Sequence, residues 1–193
     1  MPDERVPARW TQATVYDDMW VDPADDRRED RSPVVDERSM LLEYLRTQRL
    51  TLQMKCADLG AEGLAARSVP PSTMSLLGLE RHMTEVECSW SRRVMAGEDA
   101  PRRYATDDDP DGDWNGAVAD DAVVAEAWEA LRDEQAFTDR FVASVTDLGF
   151  TREAGDGQPI ALRSVLLHLI EEYARHSGHA DLIRERVDGR VGQ

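Results

Sequence analysis

Residues 163–185, RSVLLHLIEEYARHSGHADLIRE, carry the pattern that decides the fold. Apolar residues recur every three to four positions, which is the period of an amphipathic α-helix. At about 100° per residue, four ionisable side chains fall within a wedge of about 80° on this helix; they are His168, Glu172, His176 and His179. Val165 and Ile183 share that wedge, so it partly faces a core. The segment therefore predicts a long helix that is buried against other helices.

Three further segments have the same period, and together with the first they predict four helices. Their limits are about Asp36–Leu59, Ser72 or Thr73 to Ala96, Asp121–Leu148 and Ala161–Val187. Pro70 and Pro71 interrupt the pattern after the first helix, and Gly97 is a natural stop for the second. No segment has the alternation of a strand. The pattern predicts an all-α four-helix bundle with a 25-residue loop between helices two and three.

Composition limits the possible partners and the location. The chain has 193 residues, enough for one domain, and 23 basic against 39 acidic residues give a net charge of −16. Such a surface repels nucleic-acid phosphates and anionic lipid, so a small substrate or a protein partner is expected. No apolar run is long enough to span a bilayer, and no secretory signal is visible, which favours the cytoplasm. Cys56 and Cys88 are expected to be buried thiols and not nucleophiles.

The first 35 residues differ from the rest of the chain. They are acidic, contain proline and show no sustained periodicity, yet they include Trp10, Tyr16 and Trp20. Large aromatic side chains are expected to be buried against other apolar surface. The sequence therefore predicts an N-terminal arm, residues 1–35, that packs on a helical domain formed by residues 36–193.

The ionisable wedge of the last helix suggests a metal site. Glu172 and His176 are one helical turn apart, so both side chains can reach a common point. His82 is the remaining histidine, and it neighbours Met83 in the apolar stripe of helix two. Two histidines and a carboxylate suit catalytic zinc, and also iron or nickel. Hydrogen-bonded structural histidines are the alternative interpretation, and spacing alone leaves both open.

Two stretches resemble a known family. LGLERHMTEVECSW (residues 77–90) and IEEYARHSGHADLIRE (residues 170–185) are similar to the DinB-like metalloenzyme superfamily. The likeness is closest to the branch of mycothiol-dependent maleylpyruvate isomerase and the mycothiol S-transferases. The pattern H-x3-V-E-x2-W is matched by His82, Val86, Glu87 and Trp90. The resemblance extends over about residues 36–188 and implies a four-helix bundle with one metal ligand from helix two.

The resemblance also implies ligands and chemistry. It assigns His82, Glu172 and His176 to a divalent metal, most simply Zn²⁺, with Ni²⁺ or Fe²⁺ as alternatives. It further implies a transferase or isomerase in which a low-molecular-weight thiol such as mycothiol attacks a small electrophile. Two other functions remain compatible with the sequence. One is a metal-dependent hydrolase on the same scaffold, and the other is a non-catalytic protein that binds small molecules.

Other polar side chains have candidate roles near this site. His179, one turn beyond His176, is predicted to contact substrate or to act as a general acid or base, and a partly exposed helix-end residue is the alternative. His168 is expected either to support the ligands or simply to pack. Arg49 and Arg184 are candidates for binding a substrate or cofactor carboxylate if they point inward. Ordinary surface arginines are the competing interpretation.

The long loop contains a partial calcium motif. Asp111, Asp113, Asn115 and Gly116 reproduce the opening D-x-D-x-N-G of an EF-hand, but the twelfth position is Ala122 where a bidentate glutamate is needed. No convincing helix precedes the loop. A solvated or lid-like loop that borders the site is therefore the prediction, and calcium binding is not.

Overall fold

The computed structural model describes residues 26–155 and 157–191. Its helices in this part of the chain are α1 (Glu37–Cys56), α2 (Ala61–Ala65), α3 (Leu76–Glu87), a π-helical segment (Cys88–Ala96), α4 (Gly112–Asn115), α5 (Asp121–Ser144) and α6 (Leu162–Asp188). The four long helical segments confirm the predicted all-α bundle. None of the helices in the described ranges is both long and apolar enough to cross a membrane.

Three pairs of long helices pack against each other and enclose the bundle core. α1 packs along α6, and α3 packs between α5 and α6. Fully buried side chains from all four helices fill the centre, among them Leu45, Leu52, Leu79, Met83, Leu131, Leu166 and Leu169. α1 and α5 approach each other less closely, and a groove lies between them. The metal-site candidates lie on α3 and α6, which pack directly against each other.

Short side chains fix where α1 and α3 begin. Asp36 caps α1 in a reciprocal capping box with Ser39. α3 begins later than predicted, because Ser75 is its N-cap and accepts a 3.1 Å hydrogen bond from the Gly78 amide. Ser72 and Thr73 precede this cap and lie outside the helix.

Two arginines, the fully buried Arg184 and the half-buried Arg38, explain why two helices end earlier than their apolar pattern suggested. α1 ends at Cys56 instead of Leu59, and α5 ends at Ser144 instead of Leu148. Arg184 Nη1 donates to the carbonyls of Lys55 and Ala57, at 2.9 and 2.6 Å. Arg38 donates in the same way to carbonyls at the end of α5, those of Val142, Val145 and Thr146. These donors satisfy carbonyls that another helical turn would otherwise need to pair.

Two short strands correct the prediction that the chain has no strand. Thr151–Glu153 (β1) and Pro159–Ala161 (β2) form an antiparallel hairpin immediately before α6. Three residues are too few to show a period of two, so no sequence pattern marked them. The second predicted helix also differs from a regular α-helix, because it continues beyond Glu87 to Ala96 in π-helical form. Gly97, at φ +71°, ends it.

The last part of the N-terminal arm lies against α1. Arg46 on α1 donates to the backbone carbonyls of Arg27 and Arg28, at 2.9 and 3.2 Å. Trp10, Tyr16 and Trp20, on which the predicted packing of the arm rests, lie outside the described residues. The structure thus fixes the point at which the arm reaches the bundle.

Candidate metal centre

Three side chains from two helices converge on one point inside the bundle. His82 of α3 and Glu172 and His176 of α6 each offer one ligand atom, and these atoms lie within 4.8 Å of one another. Nε2 of His176 is 3.4 Å from Oε2 of Glu172. The ring centroids of His82 and His176 are 4.7 Å apart. The structure therefore brings together the three residues that the sequence singled out.

The geometry of this cluster fits a divalent ion. In a tetrahedral site with bonds of about 2.1 Å, neighbouring donor atoms are about 3.4 Å apart. The separation between His176 Nε2 and Glu172 Oε2 is 3.4 Å. Two imidazole nitrogens and one carboxylate oxygen are also the donor set that catalytic zinc uses, with one position left open. The residues could hold such an ion without rearrangement of either helix.

Burial keeps His176 in the form that can bind a metal. Burial, together with the neighbouring His82, lowers the pKa of His176 to about 4, against the opposite pull of the Glu172 carboxylate. The imidazole is therefore neutral at pH 7, and one ring nitrogen has a free lone pair. Near neutral pH, a metal ion would not have to displace a proton from this ring.

A carboxylate from the long loop orients His82. Nδ1 of His82 lies 2.9 Å from Oδ2 of Asp113, whose side chain is buried. The Trp114 ring stacks on the His82 ring, with centroids 5.0 Å apart. A carboxylate at Nδ1 holds the proton there, so Nε2 presents its lone pair to the cluster. No local pattern in the sequence places Asp113 at this site, because the residue is 31 positions away from His82.

The loop that carries Asp113 is clamped to α3. Arg81, next to His82, donates to the carbonyls of Asp113 and Gly112, both at 2.9 Å. A Cβ atom at Gly112 would collide with the Tyr104 carbonyl, and one at Gly116 would collide with the Arg81 guanidinium. The backbone therefore passes so close to its neighbours that these positions have no room for a side chain. The clamp sets Asp113 in place against His82.

The same contacts determine the conformation of the EF-hand-like motif. Its residues 112–115 form the short helix α4, and Asp113 points to His82 and not into a cation loop. Asn115 donates a 2.8 Å hydrogen bond to Asp109. The loop borders the site, as predicted, but Gly112 and Asp113 are buried and not solvated.

The other two histidines of α6 have different surroundings. Nδ1 of His179 is 3.2 Å from Nδ1 of His176, so these two rings share a hydrogen bond. His168 lies elsewhere, edge-on to Trp90 with ring centroids 4.7 Å apart. The structure thus places His179 beside a candidate ligand and gives His168 a packing partner. Trp90 is the last residue of the H-x3-V-E-x2-W pattern.

Arg49 points inward, but it meets a carboxylate of the protein itself. Its Nε donates to Oε1 of the fully buried Glu87 at 2.8 Å, and Nη1 donates to Asp139 at 2.7 Å. Glu87 also accepts from Tyr173 at 3.1 Å and from Thr138 at 2.6 Å. This network holds α1, α3, α5 and α6 together. It accounts for the glutamate of the family pattern, and it engages the guanidinium that was a candidate for a substrate carboxylate with two carboxylates of the protein itself.

The structure does not bring Arg184 to the cluster. Its side chain is fully buried, and it joins the end of α1 to α6 through the carbonyls of Lys55 and Ala57. Its Nε also donates to Asp188 at 2.9 Å. These contacts tie two helix ends together and leave the candidate substrate role without geometric support. Cys56 and Cys88 are buried free thiols, as expected.

Comparison with known families agrees with this site. The family model described as "Mycothiol-S-transferase" matches residues 40–189. The chain belongs to the mycothiol S-transferase family. The match includes all three candidate ligands, the Glu87 network and the Asp113 loop, and it confirms the resemblance to the DinB-like superfamily. A search of curated proteins found no relative that matches.

Proposed function

We propose that this mycothiol S-transferase family member is a divalent-metal-dependent transferase that joins a low-molecular-weight thiol to a small electrophile. The observation that carries the proposal is the convergence of His82, Glu172 and His176 within 4.8 Å, in a chain of this family. Zinc is the proposed ion because the donor set and the 3.4 Å nitrogen–oxygen separation suit it. Mycothiol is the proposed thiol because the family carries its name.

His82, Glu172 and His176 would hold the ion, and Asp113 would hold the His82 ring. When bound, a divalent ion lowers the pKa of a thiol and so supplies thiolate near neutral pH. The thiolate sulfur attacks the electrophilic carbon, a sulfur–carbon bond forms, and the leaving group departs with the bonding electron pair. The proton that the thiol releases balances the departing anion, and the chain's own residues must position the reactants and donate a hydrogen bond to the leaving group.

His179 is the proposed hydrogen-bond donor to the leaving group. His176 presents the lone pair of Nε2 to the cluster, so its ring proton resides on Nδ1. This N–H donates a hydrogen bond to Nδ1 of His179 across 3.2 Å. Nε2 of His179 then carries a proton and lies on the far side of that ring. We propose that this N–H donates a hydrogen bond to the departing group and stabilises the negative charge that develops on it. Trp114, stacked on His82, provides an apolar wall beside the reacting centre.

Two measurements test the function. Purified protein should contain near-stoichiometric zinc. When mycothiol, bacillithiol, glutathione and cysteine are each tested with a chromogenic alkylating probe, product should form with mycothiol. Protein that is metal-free and binds no added zinc would overturn the proposal. Product formation without any thiol would favour a metal-dependent hydrolase. Bound metal with no turnover of any thiol or electrophile would favour a non-catalytic binding protein.

The role of His179 at the leaving group has its own test. His179→Gln should keep the metal, because the ligands are untouched, and should reduce kcat for electrophiles with poor leaving groups far more than for those with good ones. An equal loss for both kinds of electrophile would show that His179 only positions His176. His168→Gln is the matched control on the same helix, since His168 packs on Trp90 away from the cluster.

A further inference from the structure

A groove lies between α1 and α5, and none of the three candidate metal ligands lines it. Its volume is about 870 Å³. Its apolar wall comes from both helices and includes Leu42, Leu45, Leu50, Trp128, Leu131 and Ala143. The other three sides of the bundle are closed by direct helix packing. Leu45 and Leu131 form the buried floor of the groove. The partly exposed side chains above them leave an apolar wall along the one side of the bundle that lacks a covering element among the described residues; they are Leu42, Leu50, Trp128 and Ala143.

The rim of this groove is basic, although the protein is strongly acidic. Five arginines line it, Arg27, Arg38, Arg46, Arg49 and Arg132, and Asp139 is the one acidic residue among its lining. Arg46 and Arg49 are paired with carboxylates of the protein. Within the described residues, Arg27 and Arg132 make no hydrogen bond to a carboxylate, although the Arg132 charge acts on the buried Glu80, and Arg38 donates to backbone carbonyls alone. A net charge of −16 makes this concentration of positive charge unusual for the surface as a whole. The groove is suited to an acidic segment with apolar side chains.

The chain itself contains such a segment next to the groove. Residues 16–22 read YDDMWVD, which combines three aspartates with Tyr16, Met19, Trp20 and Val21. Residues 1–25 as a whole contain six acidic and two basic residues. The described part of the arm begins at Asp26, and the next residue, Arg27, lines the groove and is held by Arg46. The acidic segment thus joins the domain at the mouth of the groove.

We propose that residues 16–22 of the same chain bind in the groove between α1 and α5. The lining residues on α1 extend from Arg38 to Gln53, a span of about 22 Å at 1.5 Å per residue. About seven extended residues cover that distance, which is the length of the YDDMWVD stretch. The aromatic and aliphatic side chains pack on the apolar wall, and the aspartates pair with the arginine rim. Covalent attachment favours this occupant over any free ligand, because its effective concentration is high.

Photo-crosslinking in the full-length protein tests this placement. A benzophenone amino acid replaces Tyr16, or Trp20 in a second variant, and the linked peptides are mapped after irradiation. The expected crosslinks lie within one chain and reach α1 and α5 at the groove. Crosslinks between two chains, crosslinks to any other face, or no crosslink at all would each overturn the proposal.

Charge reversal supplies the matched control. Arg132→Glu should lower the yield of groove crosslinks several-fold, and so should 1 M salt, because both weaken the pairing of the aspartates with the rim. Arg140→Glu makes the same charge change on α5 outside the groove lining, and it should leave the yield as in the parent protein. Equal yields in the two variants would show that the arginine rim does not recruit the segment.

Discussion

Nδ1 of His82 lies 2.9 Å from Oδ2 of Asp113, and this contact links a candidate ligand on α3 to the loop before α5. The second carboxylate oxygen, Oδ1, accepts from the Trp114 amide at 3.0 Å, so both oxygens are used. Arg81 in turn fixes the loop through the Asp113 carbonyl. The result is a ring whose rotation and tautomer are set before any ion arrives, which reduces the cost of binding one.

The first prediction concerns metal affinity in Asp113→Ala. Without the carboxylate, His82 can rotate and can carry its proton on Nε2, so affinity for Zn²⁺ should fall by roughly 10–100-fold. Competition with a chelating indicator measures it on the purified protein. Asp111→Ala is the control, because this neighbouring aspartate is exposed and makes no side-chain cap. An unchanged affinity in Asp113→Ala would show that His82 needs no orienting partner.

The second prediction concerns the ligands themselves. Glu172→Ala and His176→Ala should each abolish stoichiometric zinc, since only two of the three donors remain in each variant. Helicity, followed by circular dichroism, should change little because α6 keeps its other core contacts. His168→Ala removes a histidine from the same helix but should retain the metal. Metal that persists in Glu172→Ala and His176→Ala would mean that the ion binds elsewhere.

Periodicity was sufficient to predict the helices and the shared wedge on α6. It could not choose among His168, Glu172, His176 and His179, because these four lie within about 80°, which is less than the rotation of about 100° that an uncertainty of one residue in the helix facing produces. The resemblance made that choice, and the structure brings the chosen residues together. Local patterns thus predict which face is buried, while long-range contacts decide which residues meet.

Several features that the sequence did not reveal depend on distant contacts. Asp113 reached the site through a loop clamped by Arg81, which no local spacing encodes. The ends of α1 and α5 depend on Arg184 and Arg38, which lie far away along the chain. Each of these polar groups looks like a surface residue in the sequence. Their burial is visible only once the partner backbone is in place.

The third prediction concerns the buried network around Glu87. Glu87→Ala leaves the Arg49 guanidinium without its buried carboxylate partner, so the free energy of unfolding should fall by about 3–5 kcal/mol. Urea denaturation followed by circular dichroism measures it. The control is Glu37→Ala, which removes the half-exposed ion pair with Arg163 and should cost less than about 1 kcal/mol. Similar losses in the two variants would contradict a central role for Glu87 in joining the four helices.

The last prediction is a dependence of stability on pH that originates at Glu80. This side chain is fully buried in α3, and its carboxyl oxygens make no hydrogen bond of normal geometry. Burial raises the pKa of Glu80 to about 8, against the opposing influence of the Cys56 thiol and the Arg132 charge. The folded protein therefore keeps Glu80 protonated at pH 7, whereas the unfolded chain ionises it with the ordinary pKa of 4.5.

Linkage gives the sign of this effect. Below pH 4.5 both states are protonated, and Glu80 has no pH-dependent effect on stability. As the pH rises toward 8, ionisation increasingly favours the unfolded chain, at up to about 1.4 kcal/mol per pH unit. Glu80→Gln removes this penalty, so its stability relative to the parent protein should rise between pH 5 and 8, by roughly 2–4 kcal/mol. Urea denaturation at a series of pH values measures the difference. Glu129→Gln, at an exposed position of α5, is the control, and its stability should follow the same pH profile as the parent protein. A Glu80→Gln profile parallel to that of the parent protein would show that Glu80 is not protonated in the folded state.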